Sequence, residues 1–414
     1  MWADYDNRRT VVTLEQTIRL TLKVRRCHNN SCSRYLKPYR PEAEGRYALP
    51  QHEFGLDVIA LVGALRYREH LTVPEMAVRL VEQHGLKICE RSVTNLLDRY
   101  DELLAVSLSD EQRLRSLLSG QGRVILALDG LQPDVGHEVL WVLRDCISGE
   151  VLLARSLLSE READLVELIK TVTSQLGVPI EGVVSDGQHS IRNAVRSALP
   201  KSRPRDGKKG LPRELEKLKK LVDRGLDETA SHWPSIQRAF AWVHQAAEIL
   251  ANHEQTSGQA VRRRLSGLLG AMSCHREQAG ELSAAVDHFV KVSRSYWPGL
   301  FHCCDIADLP RTNNALEQLF GSYRYHERRI TGRKTASPAL VGRGSVRLPA
   351  AIATRSREYT ARDLAASNNN TWQDLRRQLD QRRETQRQRY RFRRNTQAYL
   401  QQLEDQLNQS TLPP

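Results

Sequence analysis

Arg123-Val-Ile-Leu-Ala-Leu-Asp-Gly130 contains an unbroken apolar run, Val124 to Leu128, that ends abruptly on Asp129 and Gly130. A short apolar run bounded by a turn signal is typical of a strand that is buried on both faces of a sheet. The pattern therefore predicts a buried strand whose carboxyl end carries a carboxylate. That carboxylate would lie at the rim of the sheet, where a ligand can reach it.

The same pattern recurs in Ile180-Glu-Gly-Val-Val-Ser-Asp-Gly187, which ends on Asp186. A carboxylate beside a buried sheet carries a desolvation cost unless it is paired or binds a cation. One interpretation is that each aspartate merely opens a turn or caps the next helix, which Asp does well. The other interpretation is that the two aspartates form a cation site together with a third acid.

The segments between these two runs predict how the two aspartates are related. Two runs, 138–145 and 150–156, flank a turn and read as a hairpin, and 161–172 has helical periodicity. Three strands in a meander, then a helix, then a strand that returns beside the first suit a ribonuclease-H-like α/β sheet. In such a sheet the first and fourth strands are neighbours, so Asp129 and Asp186 would lie together.

The third acid is Glu317, in a segment that begins Arg311-Thr-Asn-Asn. Thr312 or Asn313 is a good N-cap, so a helix is expected to follow with Glu317 one turn in. A first-turn carboxylate is also favoured simply by the helix dipole. A basic exit suited to a phosphate backbone follows this helix and comprises Arg328, Arg329, Arg333 and Lys334.

Composition limits the class of protein. The 414 residues allow two or three domains, and the net charge of +13 favours a polyanionic partner, most simply nucleic acid. No apolar run approaches the roughly 20 residues that span a bilayer, and the N-terminus lacks the apolar core of a signal peptide. We therefore expect a cytoplasmic protein whose seven cysteines are thiols or metal ligands and not disulfides.

Residues 54–106 predict three helices in helix-turn-helix order, with Thr72 capping the second helix and Gly85 ending it. The third helix would bury Val93, Leu96 and Leu97. The side chains expected on its outer face, where they can contact base edges and phosphates, are Arg91, Ser92, Thr94, Asn95 and Arg99. The alternative is an ordinary helical bundle with a solvated polar face.

The N-terminal segment predicts a hairpin over 10–14 and 17–24 that leads into Cys27 and Cys32. Two cysteines on a tight polar turn can supply half of a tetrahedral zinc site. The partner pair would lie upstream across the hairpin, where the sequence has no cysteine. This segment is therefore half of a zinc ribbon, a truncated ribbon or a pair of free thiols.

The predicted fold class is an α/β ribonuclease-H-like core that is interrupted by an all-α insertion and preceded by a small β segment and a helix-turn-helix bundle. The expected domains are a partial zinc-ribbon-like β segment over 1–50, the helix-turn-helix domain over 51–118, the first part of the core over 119–200, the insertion over 201–305, the last part of the core over 306–354, and a basic helical tail over 355–414.

These motifs, in this order, resemble the DDE transposases of bacterial insertion sequences, with the interrupted ribonuclease-H-like domain also found in Mutator-type enzymes. The matching pieces are Leu-Asp129-Gly, Val-Ser-Asp186-Gly and Arg-Thr312-Asn-Asn-Ala-Leu-Glu317, and the resemblance covers residues 1–345. One departure is that the polar link at 201–212 stands where such enzymes often carry a Cys-x-x-His motif.

The resemblance implies phosphodiester chemistry with two Mg²⁺ ions, which prefer carboxylate ligands. Asp129 would bridge the ions, and Asp186 and Glu317 would each hold one, with Zn²⁺ as a further ion at the cysteine pair. The partners would be double-stranded DNA, as element ends and target, and further copies in a homodimer or higher oligomer on the bacterial nucleoid.

Two rival functions remain open. One is a decayed or repurposed transposase that binds DNA through residues 54–106 without cutting it. The other is a ribonuclease-H-like nuclease that cleaves strands and never joins them. The sequence has no Gly-x-x-x-x-Gly-Lys phosphate loop, so no nucleotide cofactor is expected.

Overall fold

The computed structural model describes residues 2–132, 138–157, 161–199, 203–206, 234–332, 338–365 and 369–411. Most of these residues are helical, and a small mixed sheet makes the protein α/β. The chain divides into two compact units. The helical unit comprises Met1–Asp110, Gln132–Glu138 and Ser322–Pro414, and the sheet unit comprises Glu111–Leu131 and Val139–Gly321.

In the described residues the strands are β1 Trp2–Val12, β2 Thr17–Arg26, β3 Val124–Leu131, β4 Val139–Asp145, β5 Val151–Leu157, β6 Ile180–Ser185 and β7 Arg203–Asp206. The helices are α1 Leu56–Tyr67, α2 Val73–His84, α3 Glu90–Leu108, α4 Glu111–Gln121, α5 Glu162–Leu176, α6 His189–Ala198, α7 Pro234–Ala251, α8 Gly258–Cys274, α9 Ser283–Ser295, α10 Asn314–Thr331, α11 Pro338–Ser356, α12 Ala361–Ala365, α13 Asn369–Arg394 and α14 Thr396–Thr411.

The sheet unit is built on β3, the central strand, whose Val124, Ile125, Leu126 and Leu128 are fully buried. The strand order is β5-β4-β3-β6-β7. β3, β4 and β5 form an antiparallel meander, whereas β6 and β7 run parallel to β3. The predicted meander, the helix after it and the returning strand β6 are therefore confirmed.

Strand β7 differs from the sequence prediction, which placed residues 203–206 in a polar link at the start of an all-α insertion. The chain instead adds one more parallel strand at the edge of the sheet, beside β6. An edge strand needs hydrogen bonds on one side only, so a polar segment that contains Pro204 can form one. The spacing of Leu215, Leu218, Leu221 and Val222 predicts a helix, but these residues lie outside the described part of the chain.

Helices α7, α8 and α9 confirm the helical character of the insertion, and they share an apolar core that includes Leu265 and Met272. The spacing of Ile236, Phe240, Val243 and Ala247 predicts that they form the buried face of α7, and this prediction is wrong. The buried side chains of α7 are Trp242, Ala246 and Ile249, whereas Phe240 and Val243 are exposed. Helix α7 has two apolar stripes, and the packing of the neighbouring helices decides which of them is covered.

In the helical unit the local start and stop signals of α2 are confirmed. The Thr72 hydroxyl accepts a hydrogen bond from the Glu75 N–H, and the Glu75 carboxylate accepts one from the Thr72 N–H, which together form a capping box. Gly85 ends the helix at a left-handed φ of 64°. The predicted hairpin is also present, as β1 and β2.

The C-terminal region is not the separate tail that its composition suggested. Helices α11 and α13 both pack against α3. Trp372 is 3% exposed, and its indole N–H donates a hydrogen bond to Glu102 at 2.9 Å. The distal half of α13 is exposed and basic, as expected for a solvated helix face. The predicted domain over 306–354 is likewise divided, because α11 belongs to the helical unit.

Across the ranges that the structure describes, no helix is both long enough and apolar enough to cross a membrane.

Candidate active site at the ends of β3 and β6

The register between β3 and β6 places two acids side by side. The parallel pairing runs from Val124 opposite Ile180 to Ala127 opposite Val184. Two residues beyond that last pair, both strands reach an aspartate, Asp129 on β3 and Asp186 just after β6. Neighbouring strands are about 4.8 Å apart, so the two acids occupy adjacent positions at one edge of the sheet.

Asp129 lies near the end of β3, which continues through Gly130 to Leu131, so the strand does not end at the Asp-Gly pair as the apolar run predicted. The Asp129 Oδ1 accepts a hydrogen bond from the Gly130 N–H at 2.8 Å. A Cβ on Gly130 would lie 2.9 Å from a methyl group of Val139 and 3.3 Å from the Trp141 ring. Glycine is therefore required at this position because β4 packs against the backbone there. The Asp-Gly pair that ends the apolar run thus has a packing reason as well as a chemical one.

Asp186 opens the turn that leads into α6. Its Oδ1 accepts a hydrogen bond from the Gln188 N–H at 3.0 Å, and Gly187 has a left-handed φ of 80°. The interpretation that Asp186 opens a turn is therefore confirmed for the local structure. The side chain is half-buried at the strand end.

Glu317 lies in the first turn of α10, as predicted. Leu316 and Phe320 are 1% and 5% exposed and anchor this turn, whereas Glu317 is half-buried. The helix is connected to β3 through Asn313, whose side-chain N–H donates to Asp129 Oδ2 at 3.2 Å. Asn313 is 3% exposed. The sequence pattern predicts this asparagine only as an N-cap candidate and carries no signal of its contact with Asp129.

A fourth acid, Asp145, shows what a structural carboxylate looks like in the same sheet. It is fully buried and accepts hydrogen bonds from the Ile125 N–H, the Gln121 side-chain amide, and both the N–H and the hydroxyl of Ser148. These donors offset the cost of burying the charge. Asp145 therefore holds the β4–β5 turn, in contrast to the two acids at the strand ends.

Within the described part of the chain, no group of three or more His, Cys, Asp or Glu side chains is arranged to hold a metal ion. The structure brings Asp129 and Asp186 to one edge and connects the Glu317 helix to Asp129. The convergence of all three carboxylates, expected within about 4–8 Å of one another if they share a metal pair, stays a prediction. As a donor set, three carboxylates match the preference of Mg²⁺ for oxygen.

The predicted recognition helix is the first half of α3. Val93, Leu96 and Leu97 are buried, and Arg91, Thr94 and Asn95 are exposed, as predicted. Ser92 is half-buried, and its hydroxyl lies 3.4 Å from the Cys89 Sγ.

Arg99 was expected on the outer face of α3, and that prediction is wrong. Its side chain is only 11% exposed and is ion-paired with Glu102, which is fully buried. A buried carboxylate needs a cation or several donors beside it, and Arg99 and Arg343 supply the positive charge. Arg99 therefore stabilises the bundle and is not available to a base edge.

Two of the four residues in the predicted basic exit can be placed. Arg328 and Arg329 are exposed on the last part of α10. Arg333 and Lys334 lie outside the described residues.

Cys27 and Cys32 follow the β1–β2 hairpin as free thiols. A hydrogen bond from the Arg34 N–H to the Cys32 Sγ, 3.4 Å long, is the main cause of a lowered pKa for the Cys32 thiol, and a hydrogen bond with Cys27 lowers it further. The two thiols are thus neighbours, which is compatible with each of the interpretations left open above.

A comparison of the sequence with protein-family models and with curated proteins found no match.

Proposed function

We propose that this protein is a DNA transposase of the DDE type, which nicks the ends of an insertion sequence and joins them to target DNA. The observation that carries the proposal is the register of β3 and β6, which puts Asp129 beside Asp186 at the carboxyl ends of parallel strands. The helix that bears Glu317 is connected to the same aspartate through Asn313. Two strand-end acids and one helix acid, in this order, are the arrangement that the resemblance implies.

The sheet supports the finer assignment of a ribonuclease-H-like fold. A meander of three antiparallel strands followed by two parallel strands, in the order β5-β4-β3-β6-β7, is the order expected for that fold. The helices α7–α9 fall between the second acid and the third, where an all-α insertion is expected. On the same resemblance, the hairpin with Cys27 and Cys32 would be half of a zinc ribbon or a truncated one, with a pair of free thiols as the alternative.

In this proposal Asp129, Asp186 and Glu317 would hold two Mg²⁺ ions through their carboxylate oxygens. When bound, the ions activate the attacking oxygen and neutralise charge on the phosphate and the leaving oxygen. The protein positions the acids: the Gly130 N–H within β3 orients Asp129, and the turn before α6 orients Asp186. Water first cleaves a phosphodiester and frees a 3′-hydroxyl, which then attacks a target phosphodiester and displaces the 3′-oxygen of the target strand.

The helical unit supplies the proposed DNA contacts. Arg91 and Asn95 are exposed one turn apart on α3, and both side chains can make bidentate contacts with bases in a major groove. Arg328 and Arg329, with Arg333 and Lys334, would contact phosphates. A homodimer or higher oligomer on DNA would bring two element ends together.

The test is to incubate the protein with the genomic DNA that flanks its coding sequence, with and without Mg²⁺, and to resolve the products on denaturing gels. We expect Mg²⁺-dependent nicks at the element ends and joined products with a target plasmid. Binding without nicking would favour the repurposed DNA-binding protein. Nicking without joining would favour the nuclease.

A separate prediction follows from the two proposed roles: residues of α3 recognise the base sequence, and basic residues of α13 bind phosphates. Arg91→Ala and Asn95→Ala should each reduce discrimination between cognate and scrambled DNA by about 1–3 kcal/mol, the worth of a bidentate base contact. Arg391 is exposed on the distal, basic half of α13. Arg391→Ala should therefore weaken binding to cognate and scrambled DNA equally and make the affinity less dependent on salt concentration.

Competition binding at several salt concentrations measures both effects. If the α3 variants leave the specificity ratio unchanged while the Arg391 variant alters it, the assignment is reversed and α1–α3 are an ordinary helical bundle.

A further inference from the structure

The segment just before α10 runs along β3 and is attached to the sheet at three points. Near the start of β3, Arg123 is ion-paired with Asp308, with 2.6 Å between Nη2 and Oδ2. In the middle, Leu309 is buried against Ile125 and Val184. At the end, Asn313 donates to Asp129. These attachments follow the strand from its first residues to its terminal acid.

The middle attachment explains why the segment approaches so closely. A Cβ on Gly182 of β6 would lie 2.9 Å from a methyl group of Leu309, so glycine at this position leaves room for the leucine. Leu309 is 5% exposed, and its burial against the sheet stabilises the path of the segment. The path therefore does not depend on the Asn313 hydrogen bond alone.

Asn313 has a second set of contacts through its backbone. Its carbonyl oxygen accepts hydrogen bonds from the Leu316 N–H at 3.1 Å and the Glu317 N–H at 3.2 Å. These are the first bonds of α10, so Asn313 is the residue from which the helix starts. The same residue thus donates to Asp129 with its side chain and accepts from Glu317 with its backbone.

Two features of the side-chain contact separate it from ordinary helix capping. An asparagine at an N-cap normally uses its side-chain oxygen to accept an N–H of the first turn. Here the side-chain N–H points to a carboxylate on another element, at a position that is 3% exposed. Each carboxylate oxygen has two acceptor sites, so this hydrogen bond leaves Asp129 able to bind a cation.

We propose that Asn313 is a positioning residue for the candidate active site: it orients the Asp129 carboxylate and holds the first turn of α10, and with it Glu317, at the end of β3. This inference rests on the proposed function, because it gives Asn313 a role only if Asp129 and Glu317 act together. Outer partners of carboxylate ligands typically alter metal affinity or activity by about 10–100-fold when they are replaced.

The informative variant is Asn313→Ser. Serine is about as good an N-cap as asparagine, so the start of α10 is preserved, but its hydroxyl is too short to reach Asp129. Gln318→Ser is the matched control, because Gln318 is an exposed amide on the same helix, next to Glu317. Both variants and the wild-type protein are compared as full-length chains with flanking DNA.

Three quantities are measured: the dissociation constant for Mn²⁺, from the electron paramagnetic resonance signal of the free ion, the Mg²⁺ concentration that gives half-maximal nicking, and the melting temperature. We expect Asn313→Ser to raise both metal constants about 10-fold while its melting temperature matches that of Gln318→Ser. Nicking by the variant should recover largely at high Mg²⁺.

The possible failures can be told apart. If the wild-type protein neither binds Mn²⁺ nor nicks DNA, the proposed function is wrong, and the role of Asn313 falls with it. If the wild-type protein nicks DNA and Asn313→Ser has unchanged metal constants, the proposed function stands and the inference is overturned. A lower melting temperature with unchanged metal constants would show a purely structural role and would also overturn it.

Discussion

Replacing Asp129 with asparagine is expected to abolish Mg²⁺-dependent nicking, with a loss of at least about 10³-fold, because a bound metal contributes several kcal/mol of transition-state stabilisation. The substitution keeps the shape of the side chain and removes the charge that would hold the metal. Binding of uncut DNA should be unchanged or tighter, since one source of repulsion for phosphate is removed. Single-turnover nicking and gel-shift assays on the same preparation measure the two effects.

The control for this variant is Glu181→Gln. Glu181 is an exposed acid at the opposite end of β6 from Asp186, ion-paired with Arg123. Exposed ion pairs contribute about 0–1 kcal/mol, so this variant should fold and nick normally. Normal cleavage by Asp129→Asn would exclude Asp129 as a metal ligand and would remove the main support for the proposed function.

The second large effect concerns stability. Arg347→Met is expected to destabilise the helical unit by about 3–5 kcal/mol, the usual cost of leaving one member of a buried ion pair without its partner. Arg347 Nε lies 3.3 Å from Asp101 Oδ2, with the two side chains 8% and 0% exposed. The Tyr67 hydroxyl donates a hydrogen bond to the other oxygen of Asp101 at 2.6 Å. This one hydrogen bond cannot replace the positive charge that the substitution removes.

This loss should depend on pH. Burial raises the pKa of Asp101 to about 6, and Arg347 opposes that rise. A raised carboxyl pKa means that the folded state binds the proton more tightly than the unfolded state. Stability from this group is therefore fully present below about pH 4 and is lost as the pH rises through about 6. Without Arg347 the ionised Asp101 carboxylate has lost its nearby cation. The variant's loss in free energy of unfolding should therefore be larger at pH 7.5 than at pH 5.

Urea unfolding of wild-type protein and variant at the two pH values measures the free energy of unfolding. Arg68→Met is the matched control, because Arg68 pairs with Glu358 at the surface, where the side chains are 45% and 67% exposed. That variant should lose no more than about 1 kcal/mol. A deficit for Arg347→Met that is the same at both pH values would show that Asp101 does not titrate as described.

Several parts of the fold could be predicted because their signals are local. Examples are the apolar run of β3, the hairpin turn before β5 and the caps of α2. Each of these depends on residues that lie within a few positions of one another in the sequence. The pairing of β3 with β6 could also be predicted, because a meander of three strands followed by a helix and a fourth strand suits a sheet in which the fourth strand returns beside the first. Placing Asp129 next to Asp186 followed from that pairing.

Other features depended on partners that are distant in sequence. Arg99 has the same residue type and helical spacing as an exposed arginine, and only the buried carboxylate of Glu102, held also by Arg343 and Trp372, places it inside the bundle. The exposed face of α7 was mistaken for the buried one because either of its apolar stripes could be covered.

The sequence by itself determined most of the strands and helices, β7 excepted, and which acids lie near the ends of β3 and β6, since backbone propensity and side-chain periodicity act between near neighbours. Tertiary structure alone decided that residues 203–206 form a sheet edge, that α11 and α13 join α3, and that Asn313 reaches Asp129. These features arise because buried polar groups must find donors or counter-charges, and those partners lie far away along the chain.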